Sequence, residues 1–148
     1  MVRSSPSSRR LASLIAMGAV ATLAAGCAAS GSPLIRIDAP EARLSPMLGG
    51  ACSIFMTIAN PGDGDDALVD ARADVPGAVT QIHAVRDGRM VESKKLVVPA
   101  GGALALKPGS LHIMVFNLPK DSGAGFEFTL HLRFEKSGEK QTSVRIRG

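Results

Sequence analysis

The 148-residue chain contains no tryptophan and no tyrosine, and only 3% of it is aromatic. Without stacking side chains it offers no platform for nucleic acid, and its charge does not supply an electrostatic one. The formal +4 is concentrated at the start, where Arg3, Arg9 and Arg10 lie in a segment that reads as an export signal. Setting those three aside leaves 14 of the 17 basic side chains against 13 acidic ones, a net +1. Two cysteines are too few for a disulfide framework or a four-thiolate zinc site. The apolar run of residues 11–26 is shorter than the ~20 residues a spanning helix needs. Catalytic signatures are missing as well. There is no G-x-S-x-G, no H-E-x-x-H and no P-loop, since Gly101-Gly102 lacks the Lys-Ser/Thr that would follow. The expectation is a protein that is not an enzyme.

What is present begins with the N-terminus. Residues 1–10 are polar and basic, and residues 11–26, LASLIAMGAVATLAAG, carry no charge. A basic head, a short apolar run and small residues at its end read as a secretory signal. The segment Leu23-Ala24-Ala25-Gly26-Cys27 resembles a bacterial lipobox, with Ala24 where Leu is preferred. That resemblance implies acylation of Cys27 and removal of residues 1–26. Two or more acyl chains anchor stably, at ~0.8 kcal/mol per buried CH₂. The small, polar residues 28–33 then read as a flexible tether. The chain thus divides into a signal (1–26), a tether (27–33) and one domain (34–148), exported to the periplasm or cell envelope and held at the membrane.

The 16 glycines and 9 prolines favour a turn-rich β fold over a bundle. From Leu34 onward, short runs with period-two patterning alternate with turn signals every 8–12 residues, as in a sandwich or small barrel. Phe126-Glu127-Phe128-Thr129-Leu130-His131-Leu132-Arg133-Phe134 alternates strictly, so one face is core and the other solvent. Other candidate strands are residues 34–38, 52–59, 68–73, 80–85, 90–93, 96–98, 103–106, 111–117 and 141–146. Asp63-Gly64-Asp65-Asp66 reads as a solvated turn, because it lacks the bidentate Glu of a calcium loop.

The informative residues are histidine and methionine. His112 and Met114 stand two apart in an apolar strand, so they project side by side from one face, about 6.5–7 Å apart along the chain. His83 and Met90 flank the Asp87-Gly88 turn, and a hairpin there would place them on neighbouring strands. Two imidazoles and two thioethers are neutral, soft-to-borderline donors that suit Cu(I) better than zinc or an oxygen-seeking ion. Each residue also has a plainer reading. Met56 fits a core gap, Met47 lies in a Pro-flanked loop, His131 should face solvent, and Cys52 reads as a small buried hydrophobe.

The ordered set Met56-Thr57-Ile58-Ala59-Asn60-Pro61-Gly62-Asp63, Ile82-His83, Asp87-Gly88-x-Met90, Val98-Pro99-Ala100-Gly101-Gly102, Leu106-Lys107-Pro108-Gly109 and His112-Ile113-Met114 resembles the PCu(A)C periplasmic copper chaperones across residues 33–146. That resemblance implies a cupredoxin-like antiparallel β-sandwich of Greek-key type. It implies one Cu(I) on a His, Met, His, Met set, and delivery of copper to an acceptor such as cytochrome c oxidase assembly factors. Met90-x21-His112-x-Met114 fits the family spacing. His83-x6-Met90 is four residues short of it, and an alignment on Gly88 instead puts Glu92 at the family's Met position. The His/Met-rich tail of some members is missing, so a second copper site is not expected. Two other readings remain. One is an envelope lipoprotein with a degenerate metal site that binds a protein or another ligand. The other is an electron-transfer cupredoxin, which would need a Cys ligand.

Overall fold

The computed structural model describes residues 31–148. The signal segment and Cys27 lie outside the described residues. Ten strands and no helix follow in this range: β1 (Arg36–Leu44), β2 (Cys52–Asn60), β3 (Asp66–Ala73), β4 (Val79–Arg86), β5 (Arg89–Glu92), β6 (Leu96–Val98), β7 (Gly102–Leu106), β8 (His112–Phe116), β9 (Glu127–Phe134) and β10 (Gly138–Arg147). Each matches one expected strand, with ends shifted by a few residues.

The strands form one hydrogen-bonded path in the order β5-β4-β8-β2-β1-β10-β9-β3-β6, with β7 pairing the far half of β2. The path curls so that β5-β4-β8-β2 faces β10-β9-β3-β6 across the core. β1 carries the chain from one layer to the other. It runs antiparallel to β2, then pairs β10 in parallel at Ala42–Ile146 and Arg43–Arg147. That parallel pair is the exception in an otherwise antiparallel fold. The bend sits at a register shift between Asp38 and Glu41, where Ala39 adopts φ 49° and Pro40 follows. A proline has no N–H for the ladder, so the strand bulges there rather than ending. β1 therefore runs six residues beyond the expected Asp38.

The core comes from the inward positions of both layers, among them Ile54, Ile58, Leu68, Ile113, Leu130 and Leu132, all fully buried. Each contributes about 1.5–3 kcal/mol by leaving water. In β9 the buried residues are Phe128, Leu130, Leu132 and Phe134, as strict alternation requires.

Two buried polar residues tie the end of the sandwich near the N-terminus. Asn60 accepts from Leu34 N (2.9 Å) and Gly62 N (3.2 Å) and donates to the carbonyls of Gly64 (2.8 Å) and Val98 (3.3 Å). Asp66 accepts from the amides of Ala67 (2.8 Å), Lys136 (2.9 Å) and Ser137 (2.9 Å), joining β3 to the β9–β10 turn. Burial alone would raise its pKa, but Ser137 and the amides of Lys136 and Ala67 more than offset that and hold it below the usual carboxylate value. The acidic turn is therefore not simply solvated. Asp63 accepts from Ser32 N (2.8 Å) and Asp65 from Ala100 N (2.7 Å). Residues 31–33, the end of the expected tether, are accordingly docked on this turn through Ser32.

Candidate metal centre

β4 and β8 set the centre. Their antiparallel register places His83 directly opposite His112 and Gln81 opposite Met114. On the other side of β8, Ser53 faces Met114. Inward positions alternate with these: Ile82 and Ala84 on β4 and Ile113 and Val115 on β8 are buried. His83, His112 and Met114 therefore project from the layer face opposite the core. The site lies on a sheet face. It is nonetheless well covered: His112 is 5% exposed and Met114 4% exposed, yet neither belongs to the main core cluster.

The imidazoles meet edge to face, with ring centroids 5.4 Å apart and planes at 78°. Phe55 stands 6.4 Å from the His112 ring, and Phe116 stands 6.3 Å from the His83 ring. Arg43 caps Phe55 at 5.8 Å. Aromatic rings thus flank both sides of the pair.

Hydrogen bonding prepares the nitrogens for a ligand. His112 Nδ1 lies 2.8 Å from the Ser110 carbonyl oxygen, which can only accept. Nδ1 therefore carries the proton, and Nε2 is left with a free lone pair. His83 Nε2 lies 3.2 Å from Gln81 Oε1, while His83 Nδ1 is buried with no partner. A buried polar atom without a partner is costly unless a ligand satisfies it. Burial, then the neighbouring His112, lowers the His83 pKa, and Glu92 opposes that in part. An imidazole with an orphan buried nitrogen fits a soft cation held by neutral donors.

Met90 is placed differently from the other three. The Asp87-Gly88 turn has both residues at positive φ, 50° and 72°, as a two-residue type I′ hairpin demands. Its register pairs Val85 with Met90 and His83 with Glu92. Met90 shares the outward face but sits diagonally from His83 and is 62% exposed. A diagonal neighbour is about 7–8 Å away, within reach of a long thioether. The residue directly across from His83 is Glu92.

The remaining candidates fall elsewhere. Met56 is in the core and Met47 is exposed in the β1–β2 loop. His131 pairs with Glu139, Nδ1 to Oε1 at 2.9 Å. Cys52 lies on the inward face, and burial pushes its thiol up to about 11. Cys52 pairs with Val115 on the sheet face opposite His83 and His112, so it cannot join them as a copper ligand, which removes the electron-transfer reading. Among the described residues no three His, Cys, Asp or Glu side chains gather as ligands. Any three-donor set at this centre must therefore recruit a thioether or rearrange a carboxylate. Sequence reasoning had no sign of Phe55, Phe116, Gln81 or the Ser110 carbonyl, because each enters through pairings between distant strands.

The fold is similar to that of PCuAC domains. The apo PCuAC domain from PmoF1 superposes with TM-score 0.65 at 24% identity, covering 77% of this chain and 93% of that one. The copper-bound PCuAC domain from PmoF2 gives 0.63 at 22%, covering 77% and 92%. CuI-DR1885 from Deinococcus radiodurans gives 0.64 at 18%, covering 82% and 83%. The chain thus has the cupredoxin-like β fold of PCuAC domains. Residues 35–146 match the model of the family described as "Putative lipoprotein LpqE-like", and the chain belongs to that family. A protein named "Putative lipoprotein Lxx21020", from Leifsonia xyli subsp. xyli, is 29% identical over 103 residues, which are 66% of this chain. The match spans 61% of that relative's length.

Proposed function

We propose that the protein is an envelope-anchored copper chaperone, held at the membrane by lipid on Cys27 and carrying one Cu(I) on His83, His112 and Met114, with Met90 as an outer fourth donor. The observation that supports this best is the pairing of His83 with His112, one with an unpartnered buried Nδ1 and the other with its Nε2 left free, beside a buried thioether. Neutral donors around a monovalent ion leave little charge to bury. β5 is the terminal strand of the sheet, so an acceptor can approach over Met90 and take the ion by ligand exchange. Cytochrome c oxidase assembly components are the acceptors this reading suggests. In competition with a colorimetric Cu(I) chelator, the full-length protein should retain one equivalent, and His112→Ala should lose it.

A second reading has one observation in its favour. Glu92, not Met90, stands opposite His83. If that exchange abolished copper binding, the chain would be an envelope lipoprotein whose site has decayed and whose sheet face binds a protein instead. Wild-type protein that holds no Cu(I) against the chelator would favour it.

A further inference from the structure

The β4–β5 hairpin brings a carboxylate to the centre. Ser93 N donates to the Ile82 carbonyl at 2.8 Å, so residues 82 and 93 form a hydrogen-bonded pair. His83 and Glu92 are then the adjoining non-hydrogen-bonded pair, the arrangement in which opposed side chains stand closest, with Cβ atoms about 4.5–5.5 Å apart. We propose that Glu92 is a metal ligand of this centre, and that with His83 and His112 it lets the same site hold Cu(II) as well as Cu(I). This rests on the reading of the centre as a copper site.

The chemistry follows from donor hardness. Cu(I) is satisfied by two imidazoles and the Met114 thioether. Cu(II) favours nitrogen and oxygen donors in a tetragonal arrangement, and a carboxylate supplies the oxygen that a thioether cannot. Charge points the same way. Cu(I) on neutral donors leaves one net positive charge in the half-buried site. Cu(II) with one ionised carboxylate leaves the same net charge, so the second oxidation state costs no additional buried charge. Glu92 is exposed on the terminal strand, and among the described residues it takes part in no ion pair. The three groups are not gathered at ligand distance. Glu92 must therefore turn about its own side-chain bonds to complete the set, and an exposed side chain at a sheet edge is free to do so.

The test uses full-length protein and two probes, Cu(II) followed by electron paramagnetic resonance and Cu(I) followed by chelator competition. Wild type should take up one Cu(II) with a signal split by imidazole nitrogen. Glu92→Gln should weaken Cu(II) binding by about 10-fold or more while Cu(I) affinity stays within about 2-fold. Glu92→Met should abolish the Cu(II) signal and keep or tighten Cu(I) binding. Circular dichroism should be unchanged in both variants, since the position is exposed. Equal Cu(II) affinity in wild type and Glu92→Gln, with Cu(I) binding intact, would overturn the role of Glu92 and leave the copper reading standing. Absence of Cu(I) binding in wild type would overturn both.

Discussion

At Asn60 and Asp66 the buried side chains find partners throughout, whereas at His83 and His112 a buried ring nitrogen is left without one. The first pair lies where β2, β3 and the β9–β10 turn converge and takes up backbone amides and carbonyls that would otherwise be orphaned. The second lies on the outward face of β4 and β8, where the backbone is already paired by the sheet and the side chains are left over. Polar groups are buried in both places. Saturated hydrogen bonding marks a structural role, and the unpartnered Nδ1 of His83 beside neutral donors is what the proposed copper site would use.

The comparison breaks most visibly if both imidazoles are removed. The double variant His83→Ala, His112→Ala should lose Cu(I) affinity by at least about 100-fold, about 2.7 kcal/mol, in chelator competition. Its far-UV circular dichroism should stay β-dominated, because neither ring belongs to the main core cluster.

Asp66→Ala should do the reverse. It strands the Lys136 and Ser137 amides and should cost about 1–3 kcal/mol in urea unfolding, with Cu(I) affinity unchanged. The same carboxylate predicts a pH effect. Its folded-state pKa is lowered, so the unfolded chain binds the proton more readily. The stabilisation is complete above the unfolded value near ~3.9 and drains away as pH falls through the lower folded value. Asp66→Asn should flatten that acid limb of the stability curve.

Met114→Leu keeps the volume and removes the sulfur. It should weaken Cu(I) by about 10-fold, while the volume-conserving swap costs under about 1.5 kcal/mol of stability. His131→Gln should leave copper affinity unchanged, because that imidazole lies on β9 against Glu139, away from the centre.

The fold was legible where one residue decides one position. The alternation in Phe126–Phe134 fixed the buried face of β9, and Asp87-Gly88 marked the hairpin. β1 was only half legible, since Pro40 reads as a strand end and is a bulge that the chain passes through. The side-by-side placement of His112 and Met114 follows from the two-residue period alone. The meeting of His83 with His112 does not, because it depends on β4 pairing β8 across some 30 residues of sequence, which no local pattern encodes. Glu92 could have been found by arithmetic. A two-residue turn at 87–88 pairs 86 with 89, and counting outward sets 83 against 92. Asp66 was missed because it looks like Asp63 and Asp65 until the distant Lys136–Ser137 turn folds onto it.

The central claim is that copper enters between His83, His112 and Met114. Methyl-labelled methionine followed by nuclear magnetic resonance during Cu(I) titration tests it most directly. The Met114 methyl should shift and saturate at one equivalent, Met90 should respond more weakly, and Met47 and Met56 should not move. A Met114 signal unchanged at one equivalent, or shifts confined to Met47, would contradict the account.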